Sequence, residues 1–212
     1  MHAKTLRSTI AGPAGQLECI IDHPAGEAAP SGFVLVAHPH PLHGGNMDNK
    51  VAHTLARSFV EMGYAALRIN FRGAGASEGT HEDGVGEVDD LETALAWGRR
   101  ELNAEIFVLA GFSFGSAMQS RLAARLAARK VEPQKLVLVG HSTFHTAPQV
   151  RADTLVVHGE NDTTVPLAAV MDWARPQLLP VVVLPDTDHF FHRRLDILRR
   201  VVQSAFGRVT PT

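Results

Sequence analysis

Three residues of this chain have the types, and stand in the order, that nucleophilic acyl transfer needs. Ser113 sits in "GFSFG", residues 111–115, a G-x-S-x-G run. A serine hydroxyl is a weak nucleophile until a neighbouring base takes its proton and a third group orients that base. Asp162 lies in "HGENDTTVP" and His189 in "DTDHFFH". Each has a plainer reading alone: Ser113 and Asp162 as turn or helix-capping residues, His189 as a surface histidine. What sets them apart is shared placement. Each directly follows a strand-like run, and down the chain they come as Ser, Asp, His. Asp186 and Asp188 are rival acids, but neither follows an earlier strand, and Asp188 directly precedes His189. Ser116 is a rival nucleophile without flanking glycines.

A second stretch, "VAHPHPLHGG" (36–45), holds His38, His40 and His43 beside Pro39 and Pro41. It has two readings. His-x-His at a strand end is a way to hold a metal, which gives a metal-dependent hydrolase using His38, His40 and His43. Alternatively the prolines, which lack an N–H and restrict the residues before them, shape the backbone. A metal site would want a further ligand cluster, and the strand-end acid and histidine are already engaged with the serine. "NFRGAGASEG" (70–79) is glycine-rich, but Gly73, Gly75 and Gly79 fit neither the dinucleotide fingerprint nor a P-loop. Arg72 and Gly73 read as structural.

The elements that must position these residues alternate along the chain. Short apolar runs at 32–38, 64–70, 105–111, 135–140, 154–159 and 180–185 read as buried strands. Helical spacing covers 49–63, 87–102, 116–130, 166–175 and 193–206. Fully apolar strands separated by helices imply a sheet covered on both faces, hence mostly parallel. Residues 5–12 and 15–22 alternate instead and are joined by Gly12-Pro13-Ala14-Gly15, which suits an antiparallel N-terminal hairpin at a sheet edge. The expectation is one domain over 1–212: an α/β, doubly wound, mostly parallel sheet of eight strands.

The 212 residues are 45% hydrophobic and 20% charged, with a net charge of -2, so nothing suggests a nucleic-acid or anionic-membrane surface. The one cysteine, Cys19, reads as a small buried strand residue, and a reducing compartment fits. "MHAKTLRSTIAGPAG" has no apolar stretch of signal-peptide length. No run approaches the ~20 apolar residues of a spanning helix. A cytoplasmic location is the default expectation.

Taken together, "HPHPLHGGNMDNK", "NFRGAGASEG", "GFSFGS", "HGENDTTVP" and "DHFFH" resemble the α/β-hydrolase-fold serine hydrolases. More narrowly, the sequence is similar to a small lidless bacterial group with an HPHPL-x-GG segment, related to dienelactone-hydrolase-like and esterase-like proteins. The resemblance spans nearly the whole chain. It implies Ser113 as nucleophile, His189 as base and Asp162 as orienting acid, with no cofactor. It also implies an oxyanion hole built from the N–H of Phe114 and one N–H from the loop after strand 32–38. His40 and Leu42 are the donors the prolines leave there, and His40 matches the position where relatives with a His-Gly turn place theirs. Asn70 stands where many relatives carry an aspartate.

With only residues 141–153 between two strands, there is no room for a cap domain. An open site for a small-molecule acyl substrate follows, an ester or thioester. Phe112, Phe114, Phe144 and Phe190 are candidate apolar walls, with His43 at the mouth. His141 and His145 are expected near substrate. His158 is expected in the core, and His2, His23, His53, His81 and His192 in solvent. A non-catalytic binding module of the same fold is the alternative from another functional class.

Overall fold

The computed structural model describes residues 4–26, 28–143 and 147–207. The chain opens with β1 (Lys4–Gly12) and β2 (Gly15–His23). Then follow β3 (Phe33–Ala37), α1 (Lys50–Glu61), β4 (Ala65–Ile69), α2 (Gly86–Glu101), β5 (Phe107–Phe112) and α3 (Phe114–Ala127). The last part runs β6 (Lys135–Val139), β7 (Leu155–Gly159), α4 (Leu167–Ala174), β8 (Val181–Leu184) and α5 (Leu195–Ala205). One eight-stranded sheet results, in the order β1-β2-β4-β3-β5-β6-β7-β8. The pairs β1–β2 and β2–β4 are antiparallel and all others parallel, as the sequence pattern implied.

The missing alternation in the central strands has a simple cause. In β3, Phe33, Leu35 and Ala37 pack into the core shared with α2, α3 and α4, while Val34 and Val36 pack into the core shared with α1 and α5. Both faces are covered, so every position is apolar. β1 is the opposite case: at the sheet edge, only Ile10 is buried. In β2, Leu17, Cys19 and Ile21 point inward, but Ile20 is buried as well. Burial pushes the Cys19 thiol up to about 11, which makes it an inert packing group.

Helix starts follow local chemistry. Asn49 caps α1, its side-chain oxygen accepting the Val51 N–H at 2.9 Å. α3 begins at Phe114 rather than at 116, because the Ser113 carbonyl already accepts the N–H groups of Ser116 and Ala117, at 3.0 and 3.3 Å. The connection 140–154 between β6 and β7 carries no helix or strand among its described residues. Because β3 and β5 to β8 run parallel, the loops after them gather along one edge of the sheet.

Candidate active site

One turn on that edge, after β5, is strained. Ser113 has φ 55° and ψ -120°, a conformation that only over-determined surroundings hold for a residue with a β-carbon. Its N–H donates to the Val139 carbonyl at 2.9 Å, and its own carbonyl accepts the Ser116 hydroxyl at 2.6 Å. The glycines of "GFSFG" are required by close approach. A β-carbon on Gly115 would strike the carbonyls of Ala37 and His38, and one on Gly111 would strike the backbone of Gly115. The end of β3 is thereby pressed against the serine turn.

His189, in the loop after β8, lies with Nε2 at 3.0 Å from Ser113 Oγ. Its Nδ1 lies 2.6 Å from Oδ2 of Asp162, in the loop after β7. An ionised carboxylate only accepts, so Nδ1 carries the hydrogen and Nε2 presents its lone pair to the serine. Asp162 Oδ1 accepts the N–H groups of Thr164 at 2.9 Å and Val165 at 2.7 Å. Its turn-capping role and its contact with His189 use different oxygens of one side chain. The structure thus brings Ser113, His189 and Asp162 together in one hydrogen-bonded chain from hydroxyl to imidazole to carboxylate.

The rivals are elsewhere. Asp188 Oδ2 accepts from Nδ1 of exposed His192 at 2.6 Å. Asp186 is exposed and accepts from Asn161 at 3.2 Å. Ser116 is fully buried and braces the Ser113 carbonyl.

The loop after β3 is organised by its histidines. His38 is fully buried; its Nδ1–H donates to the Pro39 carbonyl at 2.6 Å, and its Nε2 accepts the Phe71 N–H at 3.0 Å. Burial lowers its pKa to about 4, so it is a neutral brace with both nitrogens occupied. Residues 41–43 form one 3-10 turn, capped by His40, whose Nδ1 accepts the Leu42 N–H at 3.3 Å. Leu42 therefore directs its N–H at His40. Among the described residues, the N–H groups of His40 and Phe114 have no hydrogen-bond partner. Their side chains pack together, ring centroids 4.8 Å apart.

The metal reading loses His38, whose nitrogens are taken by backbone. His40 and His43 stack on one another, centroids 4.6 Å apart. Among the described residues no group of three His, Cys, Asp or Glu side chains has the geometry to hold a metal ion.

Several expected substrate contacts are corrected. Phe112 is fully buried in the core under α1 and α5 and supports the His189 ring from beneath, centroids 4.9 Å apart. Phe114 turns its ring into the opposite core, against Phe71. His141 is not at the surface: it is fully buried, hydrogen-bonded to Ser116 Oγ at 3.0 Å and packed on Trp173. Burial, with a further push from His158, lowers its pKa to about 3. The His81 side chain is also enclosed, against Phe114 and His40 and 2.8 Å from buried Glu87. Phe190 is 46% exposed and edge-on to His189, and His43 is exposed. His2, Phe144 and His145 lie outside the described residues.

Some supporting residues were legible only in part. Arg72 is structural, as its place suggested: its guanidinium meets Asp90 at 2.7 Å and Glu82 at 2.9 Å. Asn70 joins three segments, accepting the Met47 N–H at 2.8 Å and donating to Glu18 at 2.7 Å. An ionised aspartate could not make the second bond. Nothing in the sequence pointed to the contact between His158 and Asp162. Only their i, i+4 spacing in "HGEND" connects them, and a β-strand followed by a turn gives that spacing no fixed meaning.

Fold and site define a class: an α/β-hydrolase-fold serine hydrolase built without a cap domain. Comparison with known proteins agrees. A structure of an α/β serine hydrolase homologue from Coxiella burnetii is 38% identical, covering 94% of this chain and 96% of that one, with a TM-score of 0.84. A lidless α/β serine hydrolase from Xanthomonas campestris is 35% identical, covering 100% and 98%, with a TM-score of 0.89. An uncharacterised protein of Rickettsia prowazekii is 44% identical over 115 residues, which are 54% of this chain; the chain spans about half, 48%, of that curated relative's length. Residues 15–139 match the model of the X-Pro dipeptidyl-peptidase (S15) family, so the chain belongs to that family and, within its fold, sides with the small serine hydrolases that lack a lid. The matched span includes Ser113 and the loop after β3 and ends before Asp162 and His189.

Proposed function

We propose that the protein hydrolyses small carboxylic esters or thioesters through an acyl-enzyme intermediate on Ser113. His189 Nε2 takes the hydroxyl proton as Oγ attacks the acyl carbonyl carbon. The carbonyl oxygen becomes an oxyanion that accepts the N–H groups of Phe114 and His40. Asp162 holds the imidazole tautomer and stabilises the imidazolium. The tetrahedral intermediate collapses, and His189 gives its proton to the departing alcohol or thiol. Water, deprotonated by the same nitrogen, then releases the acid and restores Ser113.

The observation that carries this reading is the continuous chain Ser113 Oγ, His189 Nε2, His189 Nδ1, Asp162 Oδ2, with links of 3.0 and 2.6 Å. The N–H groups of Phe114 and His40, without partners among the described residues, support the oxyanion assignment. The short connection after β6, with exposed Phe190 and His43, favours a small, loosely selected acyl substrate. Replacing Ser113 with Ala should abolish turnover of short-chain nitrophenyl esters; a variant with undiminished turnover ends this reading.

The family match favours a second reading, a peptidase acting after proline, since the same machinery cleaves amides. An X-Pro nitroanilide assayed beside the ester panel separates the two. Faster cleavage of the anilide than of any ester would replace the first reading by the second.

A further inference from the structure

His158, on β7, is a costly residue for a core. It is fully buried, yet its Nδ1 has no hydrogen-bond partner among the described residues. Its neighbours along the strand, Val156 and Val157, show what the two cores otherwise take at these depths. A leucine would fill the space without stranding a polar atom. What a leucine lacks is the other ring nitrogen. His158 Nε2 is 2.9 Å from the Val165 carbonyl, an acceptor only, so Nε2 carries the hydrogen. The same nitrogen is 3.3 Å from Asp162 Oδ2, the oxygen that accepts from His189.

We propose that His158 is a positioning residue for the acid, its Nε2–H shared between the Val165 carbonyl and Asp162 Oδ2 so that the carboxylate cannot rotate while His189 gains and loses its proton. The inference rests on the Ser113–His189–Asp162 reading. The carboxylate then has contacts on both oxygens: Oδ1 accepts the N–H groups of Thr164 and Val165, and Oδ2 meets His189 Nδ1 at 2.6 Å with His158 Nε2 3.3 Å away. Charge matters as well as geometry. A protonated His158 would cancel the carboxylate's charge; a neutral one donates a hydrogen bond and leaves the charge for the imidazolium. Burial favours the neutral ring, against the pull of the Val165 carbonyl and of Asp162, and the nearby His189 favours it too. The titratable groups facing His158 are Asp162 on its own loop, His189 after β8 and His141 after β6.

The test compares wild type, His158→Leu and His158→Gln. Glutamine places an amide N–H near the position of the imidazole Nε2–H and does not titrate. The readouts are kcat and KM on a short-chain ester, the pH profile of kcat/KM, the rate of fluorophosphonate labelling at Ser113, and the low-field proton resonance of His189 Nδ1–H. The leucine variant should lose about tenfold or more in kcat, with KM within about twofold. Its low-field resonance should shift or broaden. The acid limb of its kcat/KM profile should move to higher pH, because Asp162 then gives His189 its charge undivided. Glutamine should recover most of the loss. If leucine does not fold, His158→Asn, too short to reach both acceptors, takes its place with the same expected loss. Variants that keep wild-type kcat, pH profile and resonance overturn the proposal, as does an equal loss in leucine and glutamine with the resonance unmoved. A wild-type enzyme that neither labels nor turns over overturns the triad reading itself, and this inference with it.

Discussion

Asp162 and Asp188 show how much of a site is decided by single side chains. Both carboxylates lie close to His189 in space or in sequence, but only Asp162 meets its Nδ1, while Asp188 is turned to His192 in solvent. Asp162→Asn should therefore lower kcat by about 10³–10⁴, because an amide stabilises the wrong tautomer. Asp188→Asn should leave kcat within about twofold, since an exposed pair contributes little. Steady-state rates on one ester decide between them, and reversed effects would transfer the acid role. At this scale the sequence was informative where a residue's job depends on its place after a strand. That Ser113, Asp162 and His189 would meet was legible for that reason. Phe112 was not: in a strand buried on both faces, apolar character cannot tell a wall of the site from the floor beneath it. The burial of His158 was legible from its strand, but its contact with Asp162 and the enclosure of His81 against Glu87 were not, since these partners meet only once loops have closed.

The loop after β3 is the element on which the oxyanion assignment rests. Its histidine side chains and its backbone have different jobs, and substitution separates them. His40 has φ -55°, a value proline adopts without strain, and its N–H has no partner among the described residues. His40→Pro should keep the fold and lower kcat by about 10²–10³, the cost of one oxyanion donor. His40→Ala, which keeps the N–H, should lose far less. Equal kcat in the two variants would remove His40 N–H from the mechanism.

His38 gives the same loop a pH limit. Its folded pKa, about 4, lies below its ordinary 6.5, so between these values the unfolded chain binds a proton that the folded chain refuses. Stability is full above the ordinary value, falls as pH drops through the window, and levels off below the folded value. The contribution is on the order of 3 kcal/mol. His141, lowered to about 3, adds to the same fall. Melting temperature should decline from pH 6.5 to 4, and His38→Gln should show a shallower decline. An unchanged slope would mean that His38 is not the buried neutral brace described. The element boundaries themselves were legible to within a few residues. The prolines of "HPHPL" correctly signalled shaped backbone, but not that His38 clamps the loop to Phe71.

At the scale of the molecule, the parallel strand order does the assembling. Ser113, Asp162, His189 and the loop after β3 come from four different strands, and only a shared direction of β3, β5, β7 and β8 brings their ends to one edge. This was legible in the sequence from the alternation of unbroken apolar runs with helical stripes. Which strand neighbours which was not, because spacing along the chain carries no register between distant strands. Among the described residues no helix is long and apolar enough to cross a membrane. The connection after β6 is too short for a cap domain, and a chain-length panel should accordingly show highest kcat/KM for short acyl groups. The proposed mechanism makes Ser113 an activated nucleophile. Its most direct test is labelling of the folded protein with a fluorophosphonate probe, followed by peptide mass spectrometry. One adduct should form, on Ser113 of the wild type, and be lost in His189→Ala. An adduct on another residue, or none on a protein that still hydrolyses esters, would contradict the proposed mechanism.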